Sequence, residues 1–159
     1  MVSRHSSGYS TFAHSCCPVR CPPQTAVFHG FDSFQGLPER WETGLTAADG
    51  VNPAFPAGAF DLNGHVPGPE VVGRNVRLHR GWFSDTVPLF FAQHAADHAE
   101  RRKGPPPAAF VHADADLYSS TLCFLRELCG RGLLVKGTVI NFDEYWNYPG
   151  WEDGEYRAW

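Results

Sequence analysis

Residues 108–118, AAFVHADADLY, run apolar and then end in Asp114 and Asp116, two aspartates separated by one residue. The stretch reads as a buried strand delivering carboxylates to its C-terminal edge. Residues 137–145, GTVINFDEY, repeat the device: Thr138, Val139, Ile140 and Phe142 lead into adjacent Asp143 and Glu144. Two neighbouring strand ends then present four carboxylates together. In open parallel sheets the crevice at the strand C-termini is where ligands bind. Acidic charge gathered there needs a partner, most simply a divalent cation.

Working outward, strand and helix signals alternate from Thr25 onward. Residues 26–31 form a short β-like run ending at Asp32, and residues 75–79 another, ending in Gly81. Ser84 or Asp85 is expected to N-cap a helix with Pro88 in its first turn and Leu89, Ala92, Ala96 and Ala99 on one face. Asp97 and Arg101 fall at i, i+4, and Gly104 with Pro105 to Pro107 stops that helix. Ser119 or Ser120 caps the next, which turns Leu122, Leu125, Leu128 and Cys129 to the core and closes at Gly130 or Gly132. Strand, helix, strand, helix, strand implies an α/β fold with a parallel sheet. Between Thr43 and Pro69 the density of Gly, Pro, Asn and Asp signals a long surface loop, of a length that more often carries function than not.

The 159 residues suit one domain, and 43% hydrophobic content is globular. No apolar run approaches the roughly 20 residues of a membrane span. A soluble, cytoplasmic protein is expected, with no membrane partner. Net charge of -4 and only one basic cluster, Arg101 to Lys103, give no footprint for nucleic acid. Five cysteines form no regular disulfide framework, so reduced thiols are expected. Residues 1–24 contain no Asp or Glu, lack hydrophobic periodicity and read as a poorly ordered tail before a domain at 25–159. Within that tail, His5, His14, Cys16, Cys17 and Cys21 match no recurrent zinc spacing. Its lack of acidic residues, its serines and its few arginines fit an organelle transit peptide as an alternative, while its three prolines argue against the amphipathic helix such a peptide needs.

FDSFQGLPERW at 31–41, AGAFDLNG at 57–64, NVRLHRGWFSDTVPLF at 75–90, FVHADADLYSST at 110–121 and GTVINFDEYWNYPGWEDGEYRAW at 137–159 occur in this order. Together they resemble the macrocin-type O-methyltransferases, class I enzymes dependent on S-adenosylmethionine. The resemblance spans nearly everything after residue 25. It implies a Rossmann-like three-layer sandwich with a mostly parallel sheet, and methylation of a hydroxyl on a sugar or other small molecule, assisted by Mg²⁺.

That resemblance also assigns roles. Asp32 would accept hydrogen bonds from the cofactor ribose hydroxyls, with Ser33 and Phe34 beside it and Trp82 at the adenine pocket. The residues alone allow a second reading, in which Asp32 and Ser33 form an Asx-type turn. Asp114, Asp143 and Glu144 would hold Mg²⁺, an ion that takes hard oxygen ligands. Glu144 departs from the family pattern, which has a second Asp there. Asp116 would be the general base for the acceptor hydroxyl, while the residues alone also allow Asp116 and Asp143 to cap the segments after them. His112 shares strand parity with Asp114 and Asp116, which allows it to orient a carboxylate, and it also reads as a packed, hydrogen-bonded strand histidine. The aromatic tail, Trp146 to Trp159, reads equally as lid or core.

The family's first strand and glycine-rich cofactor turn have no counterpart before Ala26, and its C-terminal hairpin none after Trp159. A chain truncated at both ends, a gap of about 10 Å where the first strand would lie, and weak or absent catalysis are therefore expected. The D-x-D ending also describes the metal site of a nucleotide-sugar glycosyltransferase, and a noncatalytic remnant is a third reading.

Overall fold

A computed structural model describes residues 26–45, 48, 54–99 and 106–159. The expected N-terminal tail and one partner of the Asp97–Arg101 pair lie outside those residues. In chain order the elements are β1 (Phe28–Asp32), β2 (Trp41–Glu42), β3 (Ala54–Phe55), α1 (Pro69–Val72), β4 (Val76–Arg80), α2 (Phe83–Ala99), β5 (Phe110–Ala113), α3 (Tyr118–Gly130) and β6 (Val139–Phe142). A 3₁₀ turn (Trp151–Asp153) and α4 (Glu155–Ala158) come last. The protein is α/β, with short parallel strand pairs and four helices among the described residues.

Among the described residues the expected parallel pairing takes the form of two separate parallel pairs rather than one continuous sheet, consistent with a partial Rossmann-like fold. β1 pairs with β4, Phe31 opposite His79 and Asp32 opposite Arg80, and β5 pairs with β6, Phe110 opposite Val139 and Ala113 opposite Phe142. No described strand hydrogen-bonds one pair to the other, so side chains join them instead. Val87 of α2, Phe124, Leu125 and Leu128 of α3, Ala113 and Ala115 form one buried cluster, against which Phe31, Val111, Ile140 and Phe142 pack. A large buried apolar side chain contributes about 1.5–3 kcal/mol, so this shared core does the work that a continuous ladder does elsewhere.

The strands are less buried than their apolar sequence suggests. Val111 and Ala113 face the helices, while Phe110 and Val139, opposite one another, are 48% and 56% exposed. Alternation along a strand sends successive side chains to opposite faces, and among the described residues only one face of β5–β6 is packed. His112 lies on the open face, where its Nδ1 is 3.0 Å from Nδ2 of Asn141, its register partner. It is a hydrogen-bonded strand histidine.

Helix boundaries and faces also shift. α2 begins at Phe83, before the expected Ser84 or Asp85 cap, because the Trp82 carbonyl accepts the N–H groups of both Asp85 and Thr86. Pro88 is consequently the sixth helical residue. Its packed stripe is Phe83, Val87, Phe90 and Phe91, and Leu89 and Ala92 point to solvent. Aromatic rings remove far more apolar area from water than alanine methyls, so they decide the rotation. α3 begins at Tyr118 with no side-chain cap and buries Thr121, Phe124, Leu125 and Leu128. That stripe has helical i, i+3, i+4, i+7 spacing but leaves Cys129 exposed, contrary to expectation. The chain reverses at Gly132, where the Leu133 N–H returns to the Leu128 carbonyl.

The described residues of the loop after β1 fold back as an arm. β2 pairs antiparallel with β3, and Gln35 bridges to Asp61. Leu37 and Trp41 pack with Leu117, next to the D-x-D turn, with Phe55 and Ala59 around them. Gly36 is required there: at φ 78, a Cβ would lie 2.2 Å from the Ala59 carbonyl oxygen.

Under α2, His29 Nδ1 lies 2.9 Å from His79 Nε2, with Phe90 and His94 against the pair. Burial, then the neighbouring His79, His94 and Arg77, lowers His29 to about 4. A histidine depressed in the folded state takes its proton later than in the unfolded chain. Its contribution to stability is therefore complete above about 6.5 and is lost as pH falls toward 4. Relative to His29→Leu, the wild-type chain is expected to lose stability between pH 7 and pH 4.5, measured as urea midpoints. A pH-independent difference would refute this.

Candidate metal centre

The register of β5–β6 builds the site. Ala113 lies opposite Phe142, and the ladder runs one step further, with the Asp143 N–H donating 2.9 Å to the Ala113 carbonyl. Asp114 is thereby carried alongside Asp143, and Glu144 comes next. Asp114, Asp143 and Glu144 each offer a carboxylate oxygen, all within 4.8 Å of one another, in a group that could hold a metal ion. The three residues expected as ligands are brought together.

Asp116 stands beside this trio. Its φ is 58, and the Leu117 N–H closes back on the Ala115 carbonyl, so Asp116 is the middle residue of a tight three-residue turn. A non-glycine residue with positive φ costs on the order of 1 kcal/mol, which packing of buried Leu117 against Leu37 and Trp41 offsets.

Burial dominates the electrostatics. It pushes the Asp114 carboxyl up to about 8, with the charges of Asp116, Asp143 and Glu155 adding to the rise. Glu144 is pushed up to about 9 by burial, then by Asp116, Asp114, Asp143 and Glu155. Glu144 is only 9% exposed, and its buried Oε2 has no hydrogen-bond partner among the described residues. An orphaned buried carboxylate oxygen among further carboxylates, with no cysteine or histidine in the set, fits a hard divalent cation such as Mg²⁺.

Next to the trio is a cavity of about 230 Å³ lined by Trp41, Thr43, Leu45, Asp143, Glu144 and Tyr148. Gly44 permits its wall: at φ 66, a Cβ there would lie 2.3 Å from the Pro149 carbonyl oxygen. The Tyr148 hydroxyl is buried with no partner among the described residues, and burial, then Glu144, raises it to about 12. The sequence marks Tyr148 only as part of an aromatic tail, and places Trp41, Thr43 and Leu45 in no site. Their convergence depends on the loop folding back, which no local pattern records.

The residues expected to hold a cofactor gather at another strand end. Asp32 closes β1, and its Oδ1 accepts the Phe34 N–H at 2.7 Å, the Asx-type turn allowed by the residues alone. Ser33 Oγ accepts the Gln35 N–H and donates to the Gly36 carbonyl. Phe34 is buried, and its carbonyl accepts from Leu62 and Gly64. The Gly81 N–H donates to the Asp32 carbonyl, which brings Trp82 to the same edge. A carboxylate offers about four acceptor positions, so the turn does not exhaust Asp32.

Comparison with family models, curated proteins and solved structures finds no match. No described helix is long and apolar enough to cross a membrane.

The raised carboxyls fix a pH response. Asp114 and Glu144 hold protons in the fold that the unfolded chain sheds near pH 4, so metal-free stability from these groups falls as pH rises from about 4 to about 9. A divalent ion must displace those protons. Mn²⁺ binding is expected to tighten between pH 6 and pH 9 and to release protons, read as a buffer-dependent calorimetric enthalpy. Affinity flat across that range would contradict it.

Proposed function

We propose that this protein is an S-adenosylmethionine-dependent O-methyltransferase assisted by a divalent cation, acting on a hydroxyl of a sugar or another small molecule. The observation that carries the reading is the meeting of Asp114, Asp143 and Glu144 at two adjacent strand ends with Asp116 beside them. The order of motifs that resembles macrocin-type enzymes supplies the reaction class.

In this reading Asp114, Asp143 and Glu144 hold Mg²⁺, and Asp32, Ser33, Phe34 and Trp82 form the cofactor edge. Bound metal would lower the pKa of the acceptor hydroxyl, and the cofactor's sulfonium would supply an electrophilic methyl with a good leaving group. Asp116 accepts the hydroxyl proton as the oxygen takes the methyl group. General-base assistance of this kind is typically worth about 10²–10⁴ in rate. The cavity beside Asp143 and Glu144 would give the acceptor a wall of Trp41, Leu45 and Tyr148.

The D-x-D ending also fits a nucleotide-sugar glycosyltransferase, and calorimetric titration separates the two. S-adenosylhomocysteine is expected to bind and a UDP-sugar with Mn²⁺ is not; the reverse result overturns the methyltransferase reading. Asp116→Asn should abolish transfer of labelled methyl to a panel of monosaccharide and nucleotide-sugar acceptors while leaving S-adenosylhomocysteine affinity within about threefold. Asp143→Ala should remove both metal binding and transfer, since one lost carboxylate opens a hard-oxygen shell. Full transfer by wild type in excess EDTA would defeat the metal assignment.

A further inference from the structure

Glu155 opens α4, lies 40 residues beyond Ala115 in the chain, and is 0% exposed. A fully buried carboxylate is costly unless it is hydrogen-bonded. Its Oε1 accepts the Ala115 N–H at 3.0 Å and its Oε2 accepts the Glu144 N–H at 3.3 Å. Ala115 sits between the two aspartates of D-x-D, and Glu144 is itself a member of the acidic trio. Each oxygen therefore grips the backbone of a different acidic strand end.

We propose that Glu155 is a positioning residue that sets the spacing between Asp114 and the Asp143–Glu144 pair by holding both strand ends through one carboxylate. It does not belong to the trio that could hold a cation. The β5–β6 ladder ends with the Asp143 N–H, so beyond that step the two ends would diverge. Glu155 replaces the next rung with a side chain. α4, which presents it, packs on α3, and the 3₁₀ turn before it packs on α4, which ties its position to the main core. Outer groups that orient metal ligands typically change metal affinity about 10–100-fold when altered.

The inference rests on the divalent-cation reading of the trio, and Mn²⁺ binding measured by electron paramagnetic resonance tests both. Glu155→Gln keeps the shape but turns an NH₂ toward one of the two N–H donors. Glu155→Asp keeps the charge but is one methylene too short to reach both. Both variants are expected to bind Mn²⁺ at least about tenfold more weakly than wild type, with far-UV dichroism unchanged. Leu128→Val, which loosens the α3 core without touching the clamp, should bind as wild type does. If Glu155→Gln does not fold, Glu155→Asp carries the same expectation.

Glu155→Asp binding as tightly as wild type would overturn the positioning role and leave only the effect of charge. Equal weakening by Leu128→Val would overturn it too, because affinity would then track general stability. A wild-type chain that binds no Mn²⁺ would defeat the metal reading itself, and the positioning role with it.

Discussion

Like charge concentrated at buried strand ends is the constraint around which this fold is arranged. Two carboxylates 4.8 Å apart repel by roughly 3 kcal/mol at an effective dielectric near 20, before any cost of removing them from water. Asp114, Asp143 and Glu144 are held within that distance, with Asp116 and Glu155 close enough to raise their proton affinity further. Only a proton, a cation or donated N–H groups can offset such a cost. Glu155 has its two N–H donors, and that difference shows: its carboxyl rises only to about 7, against about 9 for Glu144.

The two parallel pairs meet this constraint with little backbone help from each other. Their common support is the side-chain core under α2 and α3, where Val87, Phe124, Leu125 and Leu128 meet Ala113 and Ala115. Ala113 and Ala115 alternate with Asp114 along the chain, so the residues that bury the end of β5 also force the intervening carboxylate to the other side. Packing and site geometry are one fact at this point. The histidine cluster under α2 brings an opposing pH response: it favours the fold as pH rises toward 6.5, while the buried carboxyls disfavour it over the same interval.

Short-range pattern is what the sequence makes legible. Apolar runs stopping at Asp32, Asp114 and Asp143 mark strand ends, and a strand-helix-strand order implies the parallel register that brings the last two together. The packed faces of α2 and α3 differ from the expected ones by about one residue, because periodicity does not rank a phenylalanine above a leucine or alanine until the neighbouring surface is known. Glu155 is hidden for a different reason. A glutamate between Gly154 and Tyr156 looks like any exposed helix start, and only its burial against groups 11 and 40 residues away makes it distinctive. Asp116's positive φ is likewise invisible in composition, since aspartate tolerates many conformations.

The arm between β1 and α1 supplies the remaining constraint on the acidic ends. Gly36 and Gly44 let backbone approach backbone so tightly that a single methyl would collide with carbonyl oxygens of Ala59 and Pro149 respectively. The first contact seats Leu37 and Trp41 against Leu117, immediately after Asp116, and the second brings Thr43 and Leu45 to the cavity bordered by Asp143, Glu144 and Tyr148. The arm thus reaches both acidic strand ends independently of Glu155 and its anchorage in α4. A displacement of the arm would release Leu117, and with it the strained turn that aims Asp116. The geometry of the carboxylates is therefore fixed by two segments far apart in sequence, the arm and α4, and substitution in the arm reaches the site without altering any acidic residue.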